Sequence, residues 1–224
     1  MTVTAREYWQ GVYRTKGEAE TSWFRPRLDQ SLRLIAAHAP DRAGPLLDVG
    51  GGRSTLVDDL VGLGYRDLAV LDVSGDALEQ SRARLAASGN ADASAAVRWI
   101  ESDILGAELP RAHYALWHDR AVFHFLVDDS EQSAYVALAT RSIRPGGVAV
   151  IATFAPDGPE HCSGLPVQRY DAEALASRFG AAFDPLDSAR ELHTTPSGLA
   201  QAFSYVALRR VETVPELRAV HATR

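Results

Sequence analysis

Residues Asp48-Val-Gly50-Gly51-Gly52-Arg-Ser-Thr follow an apolar run, and Asp72 closes a second one, Leu68-Ala-Val-Leu-Asp72. Consecutive glycines let a backbone approach a ligand where a Cβ would intrude. An acidic residue about 20 positions farther on is placed to grip a ribose. Other polar groups recur after apolar runs: Asp103-Ile104, His118-Asp119-Arg120 and Phe154-Ala-Pro-Asp157. His124 lies four residues after Arg120, on the same helical face, and an unperturbed imidazole titrates near neutrality, which suits a general base. It reads equally as a histidine packed between Phe123 and Phe125. A further cluster, His161-Cys162-Ser163-Gly164 with Arg169 and Tyr170, sits in a proline- and glycine-rich segment. Its guanidinium and phenol suit an anionic small molecule, although Arg169 also reads as surface charge and Tyr170 as the lead-in to a helix. His193 lies in a terminal hairpin that reaches toward the same place, and the Pro196-Ser-Gly198 turn explains it as well. Adjacent histidine and cysteine lack the two-to-four-residue spacing of zinc ligands, so no metal is expected.

These residues need a frame. The 224-residue chain is 46% hydrophobic, enough for one domain with a full core. Its formal net charge is −6 and no basic run occurs, which argues against nucleic acid as a partner. One cysteine excludes a disulfide framework and suits a reducing compartment. With no signal-like N-terminus and no long apolar stretch, the expectation is a cytoplasmic protein with no membrane partner, a monomer or homodimer. Strands are predicted at about 45–49, 67–72, 96–100, 114–118 and 148–154, with helices at about 26–39, 53–62, 75–88, 121–126, 130–143 and 171–179. Ser74 is the expected cap of the 75–88 helix. Pro145-Gly146-Gly147 is expected to end the helix before the fifth strand, and 155–170 to be loop. Two closing strands, about 182–191 and 200–209, suggest an edge hairpin. Repeated strand–helix units imply an α/β fold with a mostly parallel sheet covered on both faces, whose ligand sits at the strands' carboxyl ends.

On these motifs the chain resembles the class I S-adenosylmethionine-dependent methyltransferases. Asp48-Val-Gly50-Gly-Gly52-Arg-Ser54 matches the first motif of that family, Asp72 its acidic end of strand two, and Asp103 its aspartate after strand three. Ile143-Arg-Pro-Gly-Gly-Val-Ala-Val-Ile matches the turn before strand five. The resemblance implies a Rossmann-like seven-stranded sheet and S-adenosylmethionine as cofactor. It implies that Asp48 and the backbone of Gly50, Gly51 and Gly52 lie at the methionine end, that Asp72 with Val73 takes the ribose hydroxyls, and that Asp103 and the Ile104 amide read the adenine. The His118 carbonyl would face the methionine part. Asp119 and Arg120 would line the acceptor pocket, with Asp119 alternatively a helix cap, and with Cys162, Arg169, Tyr170 and His193 as further substrate contacts.

Tyr8-Trp9-x-x-x-Tyr13 followed by Trp23-Phe24 is similar to the opening of lysine methyltransferases that act on an elongation factor, with Gln10 where that group has Asp. This implies that Trp9 and Tyr13 close over the cofactor; the plainer reading is packing of a leading helix. The place where related lysine enzymes carry Glu-Lys-Gly-Thr reads His118-Asp-Arg-Ala here, a departure from lysine specificity. The expected organisation is a helical, aromatic cover over 1–40, a catalytic domain over 41–212 and a tail over 213–224. The expected activity is methyl transfer to a small-molecule thiol, amine or oxygen nucleophile, with protein lysine N-methylation as the alternative.

Overall fold

The computed structural model describes residues 4–89 and 91–212; the expected tail lies outside the described residues. Helix α1 (Ala5–Thr15) begins with a capping box in which Thr4 and Glu7 satisfy each other's amides. Helix α2 (Asp29–His38) starts later than Pro26, whose carbonyl instead accepts from Thr55 Oγ1. Strand β1 (Leu46–Val49), α3 (Leu56–Gly62), β2 (Leu68–Asp72) and α4 (Gly75–Ala87) then alternate. Ser74 Oγ accepts from the Ala77 amide as the cap of α4. A short α5 (Ala91–Ala96) takes Ala96 out of the expected third strand, so β3 is Arg98–Glu101. The remaining elements are β4 (Tyr114–Arg120), α6 (Asp129–Ser142), β5 (Ile143–Phe154), β6 (His161–Cys162), β7 (Leu165–Pro166), α7 (Ala172–Phe179), β8 (Phe183–Thr194) and β9 (Ala200–Arg210).

Seven strands form one sheet in the order β3-β2-β1-β4-β5-β9-β8. The first five run parallel, β9 is antiparallel to β5, and β8 is antiparallel to β9. This is the Rossmann-like, mostly parallel sheet with a closing hairpin that the strand–helix alternation predicts. Chain growth reverses between β1 and β4, which opens a crevice at the carboxyl ends of those strands. Each face of the sheet carries its own core: Ile35, Leu56, Leu60, Val150 and Phe203 on one, and Trp117, Tyr135, Ile151, Leu175 and Phe179 on the other. β5 feeds both cores by simple alternation, which is why its second half is buried throughout.

Three expectations change. β4 runs on to Arg120, so the helix expected over 121–126 shrinks to a single 3-10 turn, Phe123–Phe125. The Pro145-Gly146-Gly147 turn lies inside β5 as an irregularity, because Ile143 already pairs with Tyr114. The 155–170 segment contains the small β6–β7 hairpin rather than loop alone. Among the described residues no helix is long and apolar enough to cross a membrane.

Candidate active site

A cavity of about 310 Å³ opens where β1, β2 and β4 end. Its floor includes Val49, Gly50 and Leu71, and Asp72, Val73, Asp103 and Ile104 gather on the β2–β3 side. Gly50 has φ +66° and Gly52 has φ +47°, a backbone region that side chains rarely adopt. A Cβ on Gly50 would come within 2.0 Å of Val122 Cγ2, and one on Gly52 within 2.5 Å of the Tyr13 hydroxyl. The protein's own packing therefore already demands glycine at both positions. Asp72 is buried, and its Oδ1 accepts from the Ser74 amide at 2.8 Å. Burial pushes its carboxyl up to about 7, with amide hydrogen bonds opposing and Asp48 adding to the rise. Asp103 Oδ1 accepts from the Leu105 amide at 2.9 Å, which orders the turn that presents Ile104.

The roof is α1 together with the β6–β7 hairpin. Trp9 and Tyr13 line the cavity, as do Trp23, Phe125, Cys162 and Leu165. Trp9 sits edge-on to Trp23 at 5.8 Å and to Phe125 at 5.2 Å between ring centroids. Tyr13 is buried beneath the Arg53 guanidinium, 4.9 Å from the ring centroid. Ser163 and Gly164 both take positive φ, which makes a tight hairpin turn. The Tyr8 hydroxyl donates to the Ser163 carbonyl, and ion pairs Arg6–Glu101 and Arg14–Asp76 tie α1 to the sheet side.

The predicted candidates separate sharply. Arg120 and Cys162 reach the cavity; His118, Asp119, His124, Arg169, Tyr170 and His193 are not among its lining residues. His118 is a mid-strand residue in register with Asp48 and Val150. Its ring nitrogens lie 2.7 Å from Asp48 Oδ1 and 2.9 Å from Ser31 Oγ. That buried row resembles a hydrolytic triad in composition only, since Ser31 is fully enclosed; it ties β1, β4 and α2 together beneath the glycines. Asp48 is thus engaged below the loop, and Gly51 packs above its carboxylate. Asp119 accepts from the Val122 and Phe123 amides and from the Tyr135 hydroxyl, a buried cap that faces α6. His124 is buried, its Nδ1 accepts from the Phe154 amide, and burial with the nearby Arg120 charge drives it down to about 3. It is therefore neutral at physiological pH and a poor base. Arg169 donates to the Pro156 and Gly158 carbonyls and to Glu160, stitching its own loop. Tyr170 packs on Phe123 in the α6–α7 core. His193 Nε2 meets the Ser22 carbonyl at 2.8 Å and so clamps the N-terminal segment instead of reaching the cavity.

Several lining residues carry no polar signal in the sequence: Trp23, Val122, Phe125, Leu126 and Leu165. Ala121 is one hint that composition could not give, since its φ of 72° marks a strained backbone at the cavity wall. A smaller chamber of about 50 Å³ shares Val49, Gly50, Trp23 and Arg120 with the main one, and the predicted Asp48, Gly51 and His118 line it beside Arg25 and Arg53. Among the described residues no group of three or more histidine, cysteine, aspartate or glutamate side chains is placed to hold a metal.

Residues 46–147 match the family described as a methyltransferase domain. The eEF1A lysine and N-terminal methyltransferase of Bos taurus is 24% identical over 126 residues, 56% of this chain. The chain spans only 17% of that curated relative's length. A solved structure described for the conversion of a disulfide bond into a thioacetal group during echinomycin biosynthesis is similar, with TM-score 0.75, 20% identity and 95% of each chain covered. The Burkholderia thailandensis 1,6-didemethyltoxoflavin-N1-methyltransferase, bound to its acceptor and S-adenosylhomocysteine, has TM-score 0.65, 21% identity and coverage of 91% and 84%. The N-methyltransferase NodS of Bradyrhizobium japonicum has TM-score 0.64 at 18% identity, with 82% and 94% covered.

Proposed function

We propose that this chain, whose residues 46–147 match a methyltransferase domain, is a class I S-adenosylmethionine-dependent enzyme that methylates a small molecule seated under α1 and the β6–β7 hairpin. S-adenosylmethionine supplies a methyl group already activated by a sulfonium charge. The protein then has to align the partners and keep water out. Asp72 fits this cofactor: burial holds its carboxyl up near 7 although amides donate to it, and two ribose hydroxyls would add donors to the charged form. In this reading Val73 lies against the ribose, Asp103 and Ile104 meet the adenine edge, and Trp9 and Tyr13 cover the methionine part above Gly50.

The observation that carries the small acceptor is the roof. Tyr8 joins α1 to the hairpin turn at Ser163, so a side chain still attached to a folded protein would have to thread between two stitched elements. The runner-up, protein lysine methylation, is favoured by the bovine relative and by the Tyr8-Trp9-x-x-x-Tyr13 and Trp23-Phe24 resemblance. Calorimetric titration with S-adenosylhomocysteine should show saturable binding, and Asp72→Ala should weaken it by about 2 kcal/mol, roughly thirtyfold. No heat and no thermal upshift would sink the assignment. Incubation of a lysate with methyl-labelled cofactor should place label in the small-molecule fraction. Label confined to protein would favour the lysine reading.

A further inference from the structure

The acceptor's chemistry is constrained by which charges face it. The titratable side chains lining the main cavity are Tyr13, Asp72, Asp103, Arg120, Glu131 and Cys162. Asp72 and Asp103 follow β2 and β3, and Glu131 belongs to α6. Tyr13 is held well above its usual range by burial, and the Cys162 thiol is pushed up to about 11. The wall formed by Trp9, Trp23, Phe125 and Cys162 therefore offers no group that takes a proton at neutral pH. It does offer a cation. The Arg120 side chain is 6% exposed. Its Nε donates to the Tyr205 hydroxyl at 3.0 Å, its Nη1 donates to the Trp23 carbonyl at 3.3 Å, and its plane lies over Phe203 at 4.2 Å. Its Nη2 has no hydrogen-bond partner. The nearest carboxylate, Glu191, is 3.9 Å away and already receives Arg25 and Tyr205. The other titratable groups around Arg120 are Cys162, His124 and His193; burial drives His124 down to about 3 and lowers His193. One carboxylate between two guanidiniums leaves this wall positive.

We propose that the acceptor is a small thiol that reacts as its thiolate, with Arg120 as the counter-charge. This rests on the methyl-transfer reading above and names its substrate class. The thiol loses its proton to solvent. Its sulfur then forms the new S–C bond as the C–S bond of the sulfonium breaks, and the electron pair stays on the departing sulfur. A thiolate and a sulfonium become two neutral thioethers, a change that a dry site favours. A cation within about 4–6 Å lowers the acceptor's pKa by about 1–3 units. Below its pKa, each unit multiplies the thiolate fraction about tenfold, whereas nucleophilicity falls only about threefold. The same cation repels an ammonium placed beside it, so at this wall a lysine or alkylamine meets a like charge.

The test uses the full chain with thiophenol, phenol and aniline, three acceptors of nearly one shape, and reads S-adenosylhomocysteine release. Thiophenol should be methylated at least about tenfold faster than the other two. The acid limb of kcat should lie about one unit below that of Arg120→Gln, while Arg120→Lys keeps the limb near wild type. Difference absorbance should show bound thiophenolate in wild-type protein loaded with S-adenosylhomocysteine, a readout independent of turnover and of whether the glutamine variant folds. Preference for aniline, no transfer to thiophenol, an unmoved limb in a folded Arg120→Gln, or thiophenol bound only as the neutral thiol would each overturn the proposal. Failure to bind S-adenosylhomocysteine would instead overturn the methyl-transfer reading.

Discussion

Asp72 and His124 are both buried, and burial moves their proton affinities in opposite directions. Asp72 rises from 3.8 to about 7, so the ligand-free fold binds a proton that the unfolded chain has already lost. Its contribution to stability is present below pH 3.8 and disappears as pH climbs toward 7. Asp119, raised to about 6 by burial, acts in the same sense. His124 falls from 6.5 to about 3, so its contribution is full above 6.5 and is lost on acidification toward 3. Between pH 3.8 and 6 two carboxylates oppose one imidazole, so wild-type stability should fall as pH rises through that window. Asp72→Asn should be nearly flat there, because Asp119 and His124 then cancel, and His124→Asn should lose stability more steeply than wild type as pH rises. Each proton carries at most about 1.4 kcal/mol per pH unit. Denaturant midpoints measured every half unit check this, and parallel curves for both variants would refute it. Binding of S-adenosylhomocysteine should also release a proton near neutrality, because hydroxyl donors lower the Asp72 pKa. Calorimetry in buffers of different ionisation heat reads that release directly.

Helix α1 and the β6–β7 hairpin act as one roof only because side chains bind them. Their backbones share no sheet, and the roof's underside is a set of edge-to-face rings around Trp9. Removal of the Tyr8 hydroxyl in Tyr8→Phe leaves the ring packing and deletes the link to Ser163. The local cost should be about 1 kcal/mol. Amide exchange in α1 should quicken about fivefold with the β1, β4 and β5 amides unchanged, and release of S-adenosylhomocysteine should quicken with it. Unchanged α1 protection would show that the roof is held by the rings and the Arg6 and Arg14 ion pairs instead. The helix itself is legible in Thr4-x-x-Glu7 and its spaced aromatics. The hairpin is not, since two-residue strands carry no periodic pattern and their pairing depends on a turn at Ser163-Gly164.

Over the whole molecule, four tryptophans report on different places. Trp9 and Trp23 line the cavity, Trp117 lies in the core bonded to Tyr135, and Trp99 donates to the Ser94 carbonyl. S-adenosylhomocysteine should change the emission, and the change should vanish in Trp9→Phe/Trp23→Phe while surviving Trp99→Phe. Persistence in the double variant would place the ligand elsewhere. The same division marks how far sequence reading reaches. Strand–helix alternation, the glycine run at the first strand's end and the aspartates ending later strands are local patterns, set by backbone periods and backbone conformation. They determined the sheet, its crevice and the glycine and aspartates that line it. What the tertiary structure decided is which polar side chains face that crevice. β4 continues two residues past its expected end, and along a strand successive side chains alternate faces. Asp119 therefore turns to Tyr135 in one core, while His118 and Arg120 turn to the other, and only Arg120 reaches the cavity. His124, Tyr170 and His193 were drawn instead into contacts with chain segments far away in sequence, and Arg169 into its own loop. No local pattern encodes such contacts, because packing against distant partners settles them only once the sheet has assembled.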